Sequence, residues 1–445
     1  HFGHRVSLIA FPFLWVGYEY THSLSEWSFP WITIGNSQSY DIAQMQFISS
    51  TGVYGLSLWV LVINVLLFVL YSKLAQRVWQ PLSRKSLGFL LVILFIYFIP
   101  KIEGMLILSK APPYADPISE GENRVTVGMI QSNIDPWEKW KQSGVQAIEL
   151  YLDLTRSLVA NSAHQRPDLV LWPETAVPYR ILAPENRETL NYLRQKLDEI
   201  GVPVLTGLPH AVYYDDSTQA PPSAKRNKKT GQRYDVFNAA AFIQPGVKEI
   251  PWYGKMKMVP IAERFPYADA FYFLDFLRWG VGIGGWQIGP DSTIFEDKKA
   301  DVRFSSMICY ESTYPDFVAA FVKKGAEFIT IITIDSWWGR MSGAYQHQQF
   351  AIFRAVENRR WIARCAVGGI SCYIDPYGRV YDKTDLFTQT TLIRTIGRSD
   401  ELTFYAEHGD WLGVGCLFCG GLFVAAAVGQ WFKNKRRMAS WESSG

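Results

Sequence analysis

Ser306-Met307-Ile308-Cys309-Tyr310-Glu311 closes a strand-like run that begins at Arg303 and leaves a thiol and a carboxylate at its end. Two other segments share this build. Leu169-Val170-Leu171-Trp172-Pro173-Glu174 ends in a carboxylate, and Tyr253-Gly254-Lys255, followed by Met258-Val259-Pro260, ends in an ammonium. Short apolar runs of the same kind recur at Val125 to Ile130, Val204 to Thr206, Ala239 to Ile243 and Phe328 to Ile334. Helical-looking segments, Ala147 to Ala160 and Glu185 to Ile200, separate some of them. Strands alternating with helices predict a layered α/β domain, in which three strand ends can converge on one site. Tyr213 to Tyr234, with its Asp-Asp, Pro-Pro and Lys-Arg-Asn-Lys-Lys elements, reads as an exposed loop.

The three terminal groups form a chemically complete set. A thiolate attacks a carbonyl, a carboxylate takes the thiol proton, and a fixed ammonium stabilises the oxyanion. Neither a metal nor a cofactor is required. His347 and His408 lie in contexts that make neither a convincing base, which separates the pattern from a Cys and His pair. Taken singly, each residue has an ordinary reading. A cysteine after an apolar strand is usually a small buried hydrophobe, and a lysine beside aromatics usually covers apolar surface.

Outward from this region the composition changes. Hydrophobic residues make up 48% of the chain, aromatics 15% and charged residues 19%, a balance suited to a membrane protein with a large water-facing domain. Four apolar segments are candidate spans: Val6 to Tyr20, Phe47 to Tyr71, Leu87 to Ile99 and Trp411 to Phe432. Lys73, Arg77, Arg84 and Lys85 lie between the second and third, and Lys433-Asn434-Lys435-Arg436-Arg437 follows the last. Positive residues in short loops remain cytoplasmic, so the α/β domain is expected on the opposite side. The division expected is membrane helices over 1–103 (about three spans), a periplasmic catalytic domain over 104–410, a last span over 411–432 and a cytoplasmic basic tail over 433–445. The loop from Ser23 to Gln46 also falls outside, with Trp27, Phe29 and Trp31 suited to a membrane interface.

A net charge of +3 gives no case for a nucleic-acid partner. Of the five cysteines, Cys416 and Cys419 have a C-x-x-C spacing but lie in an apolar run with no second ligand pair, so helix packing is the expected role. The chain opens at His1 with neither an initiator Met nor a signal-peptide pattern, and a missing N-terminal portion is expected. No heptad pattern appears, so a monomer is expected.

Trp172-Pro173-Glu174, Tyr253-Gly254-Lys255 and Ile308-Cys309-Tyr310-Glu311 resemble, in chain order, the Glu, Lys and Cys motifs of the nitrilase superfamily. The flanking spans single out its membrane-embedded branch, the apolipoprotein N-acyltransferases. Asp335-Ser336-Trp337-Trp338-Gly339, His347-Gln348 with Arg354 and Glu357, and Pro376-Tyr377-Gly378-Arg379-Val380 extend the resemblance, as does the Phe29-Pro30-Trp31 loop. It implies an αββα four-layer sandwich inserted before the last helix of a membrane bundle of eight helices. It also implies Glu174 as general base, Lys255 as oxyanion stabiliser, Cys309 as nucleophile and Glu263 as a further essential carboxylate. Tyr310, Glu311, Trp337 and Trp140 match positions that support the pocket or guide substrates.

The reaction implied is ping-pong. Cys309 takes an acyl chain from a phospholipid as a thioester and passes it to the free α-amino group of the diacylglyceryl-cysteine of an apolipoprotein, at the bacterial inner membrane. Three departures from the family pattern stand out. Lys257-Met258-Val259-Pro260-Ile261-Ala262-Glu263 replaces the usual His-Leu-Val-Pro-Phe-Gly-Glu, Ile334 stands for an Asn, and Val367-Gly368 for an Asn-Asn pair. The alternative is a membrane-tethered amidase or nitrilase-type hydrolase, in which water resolves the acyl-enzyme. A non-catalytic scaffold or transporter fits less well, since Glu19 is the main ionisable residue within the spans.

Overall fold

The computed structural model describes residues 3–112, 123–140, 144–162, 165–228, 230–270 and 285–442. The chain divides into two compact units, His1–Ala111 with His408–Gly445, and Pro112–Glu407.

In the first unit α1 (His4–Ser23), α2 (Ile48–Thr51), α3 (Val53–Ala75) and α4 (Arg84–Lys110) precede a C-terminal helix, Trp411–Glu442. Among the described residues three segments are long and apolar enough to cross a bilayer: Val53–Ala75, Arg84–Lys110 and Trp411–Arg436. The first expected span, Val6 to Tyr20, lies in the helix α1, which at 20 residues is long enough but is not among the described segments apolar enough to cross. The reason lies in its polar content, above all Glu19, which is 2% exposed. One Glu19 oxygen accepts the Trp15 indole N–H at 2.9 Å and the Ile34 backbone N–H at 2.8 Å, tying the loop after α1 back onto the helix. Gly17 lets α1 approach the C-terminal helix, because a Cβ there would lie 2.9 Å from Leu417 Cα. Cys416 is buried with Val16, Tyr54 and Leu61 in the same small core, a packing role as its apolar context implied.

The second unit contains two sheets. Its chain order is β1 (Arg124–Gln131), α5 (Gly144–Asn161), β2 (Leu169–Leu171), α6 (Arg187–Ile200), β3 (Val204–Tyr213), β4 (Lys225–Arg226), β5 (Arg233–Ile243), β6 (Trp252–Gly254), β7 (Phe295–Asp297), β8 (Val302–Ile308), α7 (Pro315–Lys323), β9 (Phe328–Thr333), α8 (Ser342–Asn358), β10 (Ile362–Ala366), β11 (Cys372–Ile374), β12 (Val380–Tyr381) and β13 (Thr390–Gly397). One sheet runs β13-β1-β2-β3-β5-β4 with β6 paired to β5; the other runs β12-β11-β10-β9-β8-β7. The centre of each is parallel, β1 with β2 and β3, and β8 with β9 and β10, and antiparallel strands flank both centres. Strands buried on both faces read as continuous apolar runs, as Phe328-Ile329-Thr330-Ile331-Ile332 does.

The layers follow from what each apolar face covers. Ile148, Tyr151 and Leu152 of α5 and Leu193 and Leu197 of α6 bury against Val170, Trp172 and Val204, each large side chain contributing about 1.5–3 kcal/mol. The inner faces of the two sheets meet directly. The Phe242 ring lies 5.3 Å from that of Phe304, the Tyr373 hydroxyl donates to the Val127 carbonyl at 2.6 Å, and the Cys365 thiol lies against the Ile130 and Leu171 carbonyls. With α7 and α8 on the second sheet, the order is helix, sheet, sheet, helix. The stretch from Tyr213 to Tyr234 is more than a loop. Tyr213 pairs with Tyr234 at the end of the β3–β5 ladder and Lys225–Arg226 adds an edge strand to β5. Cross-strand packing of the two tyrosine rings, 5.5 Å apart, extends the ladder beyond the apolar run. Lys229 lies outside the described residues.

Candidate active site

β2, β6 and β8 each deliver one reactive side chain at or just beyond the carboxyl end of the strand, where α/β folds hold their sites. Glu174 follows β2 by three residues, Lys255 follows β6 directly and Cys309 follows β8 directly. The Lys255 ammonium, fully buried, donates to Glu263 Oε1 at 2.7 Å and lies 3.7 Å from Glu174 Oε1. Glu174 Oε1 also accepts Asn238 Nδ2 at 2.7 Å, and Glu263 Oε2 accepts the Val259 backbone N–H at 2.8 Å. A second buried ammonium, Lys139, donates to the Glu174 carbonyl at 2.9 Å and to the Thr175 hydroxyl at 2.6 Å.

Backbone shape places the thiol. Cys309 has φ 54°, left-handed and uncommon for a residue other than glycine, and such positions persist only where their surroundings over-determine them. Glu311 supplies part of that constraint. One oxygen accepts the Tyr253 hydroxyl at 2.5 Å and the Met256 N–H at 2.6 Å, and the other accepts the Ile308 N–H at 2.8 Å. The strand end that presents Lys255 is thereby clamped to the turn that presents Cys309. Gly207, on β3, performs a similar service for Glu174, since a Cβ there would lie 2.3 Å from Thr175 N and 2.6 Å from Glu174 Cα.

Burial dominates the electrostatics. It raises the Glu174 pKa, with Lys255 opposing and the like charge of Glu263 adding to the rise. It works against the charge on Lys255, yet the carboxylates of Glu263 and Glu174 hold that ammonium protonated well above its ordinary value. The Cys309 thiol is pushed up by burial and by Glu174, while Lys255 pulls the other way. Burial brings Lys139 down to about 7 against the attraction of Glu174, and lifts Glu311 to about 7 against its hydrogen bonds.

A cavity of about 300 Å³ opens on this cluster, lined by Glu174, Glu263 and Cys309 together with Trp140, Trp286, Trp337, Trp338, Val259 and Ala262. Of the residues singled out from sequence, Trp140 and Trp337 line the cavity with Glu174, Glu263 and Cys309, and Lys255 is buried against the two carboxylates. Tyr310 is buried beside it with its ring edge-on to Tyr314, and Glu311 is fully enclosed behind it as the clamp. Sequence reasoning did not single out Asn238, Lys139, Trp286 or Trp338. Lys139 sits in Trp137-Glu138-Lys139-Trp140-Lys141, which reads as an exposed charged turn. Asn238 had one available signal, being the lone amide directly before the apolar run Ala239 to Ile243.

A carboxylate, an ammonium and a thiol held on two face-to-face sheets define the class, a carbon-nitrogen hydrolase domain, and residues 126–402 match that family. Residues 2–66 match the apolipoprotein N-acyltransferase N-terminal domain. The chain belongs to the apolipoprotein N-acyltransferase family. It is 32% identical over 434 residues to apolipoprotein N-acyltransferase of Chlorobaculum tepidum, covering 96% of this chain and 78% of that one. It is 30% identical over 421 residues to that of Geobacter metallireducens, covering 94% and 74%. Among solved structures, an amidase of the nitrilase superfamily from Nesterenkonia is similar at a TM-score of 0.44 and 15% identity, covering 67% of this chain and 99% of that one. The chain is an integral membrane acyltransferase.

Proposed function

We propose that this protein moves one acyl chain from a phospholipid to the α-amino group of the diacylglyceryl-cysteine of an apolipoprotein, through a thioester on Cys309. The observation that carries the reading is the meeting of Cys309, Glu174 and Glu263 at one tryptophan-lined cavity, with the Lys255 ammonium buried against the two carboxylates. Glu174, made more basic by burial, takes the thiol proton as Cys309 attacks the ester carbonyl. Lys255, kept cationic by its two carboxylates, stabilises the oxyanion. Collapse of the adduct breaks the ester bond, and the lysophospholipid alkoxide leaves with the proton held on Glu174. The acceptor amine then attacks the thioester, gives its proton to Glu174 and restores the thiol. The apolar walls keep water from the thioester, which favours transfer over hydrolysis. Lys73, Arg77, Arg84 and Lys85 on one side, and Lys433 and Lys435 at the far end of the last span-capable segment, support a catalytic domain on the periplasmic face of the bacterial inner membrane.

Incubation of the protein in liposomes with acyl-labelled phospholipid tests the reading. The expected result is hydroxylamine-sensitive label that is absent from Cys309→Ala and passes to a diacylated lipopeptide. Label released only as free fatty acid would instead make the protein a hydrolase.

A further inference from the structure

Next to Cys309 lies a fully buried polar cluster that the mechanism above does not use. Asp335 is its hub. Its Oδ1 accepts the Thr333 hydroxyl at 3.1 Å and Arg364 NH2 at 3.0 Å, and lies 2.9 Å from His347 Nδ1. Its Oδ2 accepts Arg364 NH1 at 2.8 Å. Despite burial, Arg364 and His347 hold the Asp335 carboxyl well below the ordinary carboxylate range, so it remains a permanent anion. Two arms run from this hub to the nucleophile. His347 Nε2 lies 3.1 Å from the Cys309 carbonyl, which also accepts the Ser312 hydroxyl at 2.8 Å. Thr333 itself is the second arm, standing beside Cys309 and favouring the ionised form of its thiol. The register explains that second arm. Ile308 pairs with Ile332 in the parallel β8–β9 ladder, so the next residue on each strand, Cys309 and Thr333, stand side by side.

We infer that Thr333 is a further catalytic residue, a switchable hydrogen-bond donor to the Cys309 thiolate, with Asp335 and His347 as positioning residues. A hydroxyl has one hydrogen to give and two lone pairs to receive with. In the resting enzyme Thr333 gives its hydrogen to Asp335. When the thiol proton passes to Glu174, the hydroxyl turns that hydrogen onto the anionic sulfur, and Asp335 keeps its bonds from Arg364. No net proton is consumed: one S–H bond breaks, one O–H bond forms on Glu174, and the hydroxyl only changes partner. The bond to the anion is the stronger one, so the thiolate is stabilised at the moment it forms. His347 meanwhile acts on the carbonyl and not on the thiol, which assigns this histidine a role other than base. The charged and titratable groups whose fields act on the Cys309 sulfur are Glu174, Lys255, Glu263, Tyr310 and Arg364.

The inference rests on Cys309 being the nucleophile, and its test avoids the acyl donor altogether. The full chain in detergent is treated with iodoacetamide over a range of pH, and alkylation of Cys309 is followed on its own peptide by mass spectrometry. Thr333→Val, which keeps shape and loses the hydroxyl, is expected to slow alkylation at neutral pH by about tenfold, the size of one hydrogen bond to a charged group. Its half-maximal rate should move up by about one pH unit. Thr333→Ser should return both to within about twofold of wild type, a rescue that a purely structural role would not produce. Should the Val variant not fold, Thr333→Ala set against Thr333→Ser gives the same comparison. A Thr333→Val or Thr333→Ala protein that alkylates at the wild-type rate, or a Ser variant that fails to restore it, overturns the inference. A wild type that follows the Thr333 pattern but never takes acyl label overturns the proposed acyl transfer and leaves the inference standing.

Discussion

Glu263 Oε1 receives the Lys255 ammonium at 2.7 Å, whereas Glu174 stands 3.7 Å from it. The shorter bond matters because a base that is tightly paired to a cation is a poor acceptor. By holding the ammonium, Glu263 leaves Glu174 with Asn238 as its nearest partner and adds a like charge that raises its pKa. Glu263→Gln is therefore expected to let Lys255 close on Glu174 and to lower the pKa of that base. Single-turnover thioester formation should slow by about tenfold to a hundredfold, and the acid limb of its pH profile should move to lower pH. A variant with an unshifted acid limb would mean that Glu174 is not the titrating base.

Gly207→Ala should disable the site from a position that bears no functional group. The added methyl would meet the backbone of Glu174 and Thr175 at 2.3–2.6 Å, and backbone cannot swing aside as a flexible side chain can. Overpacking of this kind costs about 1–3 kcal/mol of stability, and an ångström of displacement at a reacting group costs about a hundredfold in rate. Thermal unfolding together with the rate of thioester formation checks both, with the loss in rate exceeding what the fraction unfolded accounts for.

Lys139 leads to a pH-dependent stability. Burial holds it at about 7 in the folded chain, while in the unfolded chain it stays protonated to about pH 10. Between those limits the unfolded state binds more protons, so this contribution rises as pH rises and is lost as pH falls toward 7. Compared with Lys139→Met, wild type should gain stability between about pH 7 and pH 10. Unfolding curves of both proteins at the two ends of that window provide the measurement. Parallel stabilities across it would show that Lys139 keeps an ordinary pKa in the folded chain.

Why some of this could be read from the chain and some could not follows from which residues carry a period. The runs ending at Glu174 and Cys309 were legible because β2 and β8 are interior strands, Leu169 to Leu171 wholly buried and β8 buried from Phe304 to Ile308, and strands buried on both faces lose the alternation of a surface strand. α8 does not. Within it His347, Gln348, Arg354, Glu357 and Asn358 are all buried, so no apolar stripe marks the helix and its polar residues look like a surface. Arg354 NH2 donates to Glu357 Oε1 at 2.9 Å inside the fold, a pairing that appears only once the chain is folded. The Asp335 cluster was hidden for the same reason. Thr333 ends β9, Asp335 opens the turn after it, His347 lies on α8 and Arg364 on β10, and the four share no spacing that points to a common site.

Trp337 should act on the acyl chain and not on the chemistry. It lines the cavity with Trp140 and meets the Trp137 ring edge-on at 5.0 Å, yet it makes no hydrogen bond to Glu174, Lys255 or Cys309 among the described contacts. Its indole is contact area for an apolar substrate, worth about 25 cal/mol for each Å² covered. Trp337→Ala is expected to lower kcat/KM for long-chain phospholipid donors by about tenfold and to spare short-chain donors, because the lost contact scales with the chain buried against it. Iodoacetamide alkylation of Cys309, which needs no such contact, should proceed at the wild-type rate. Equal losses for long and short donors would move Trp337 from chain binding to the positioning of the thiol.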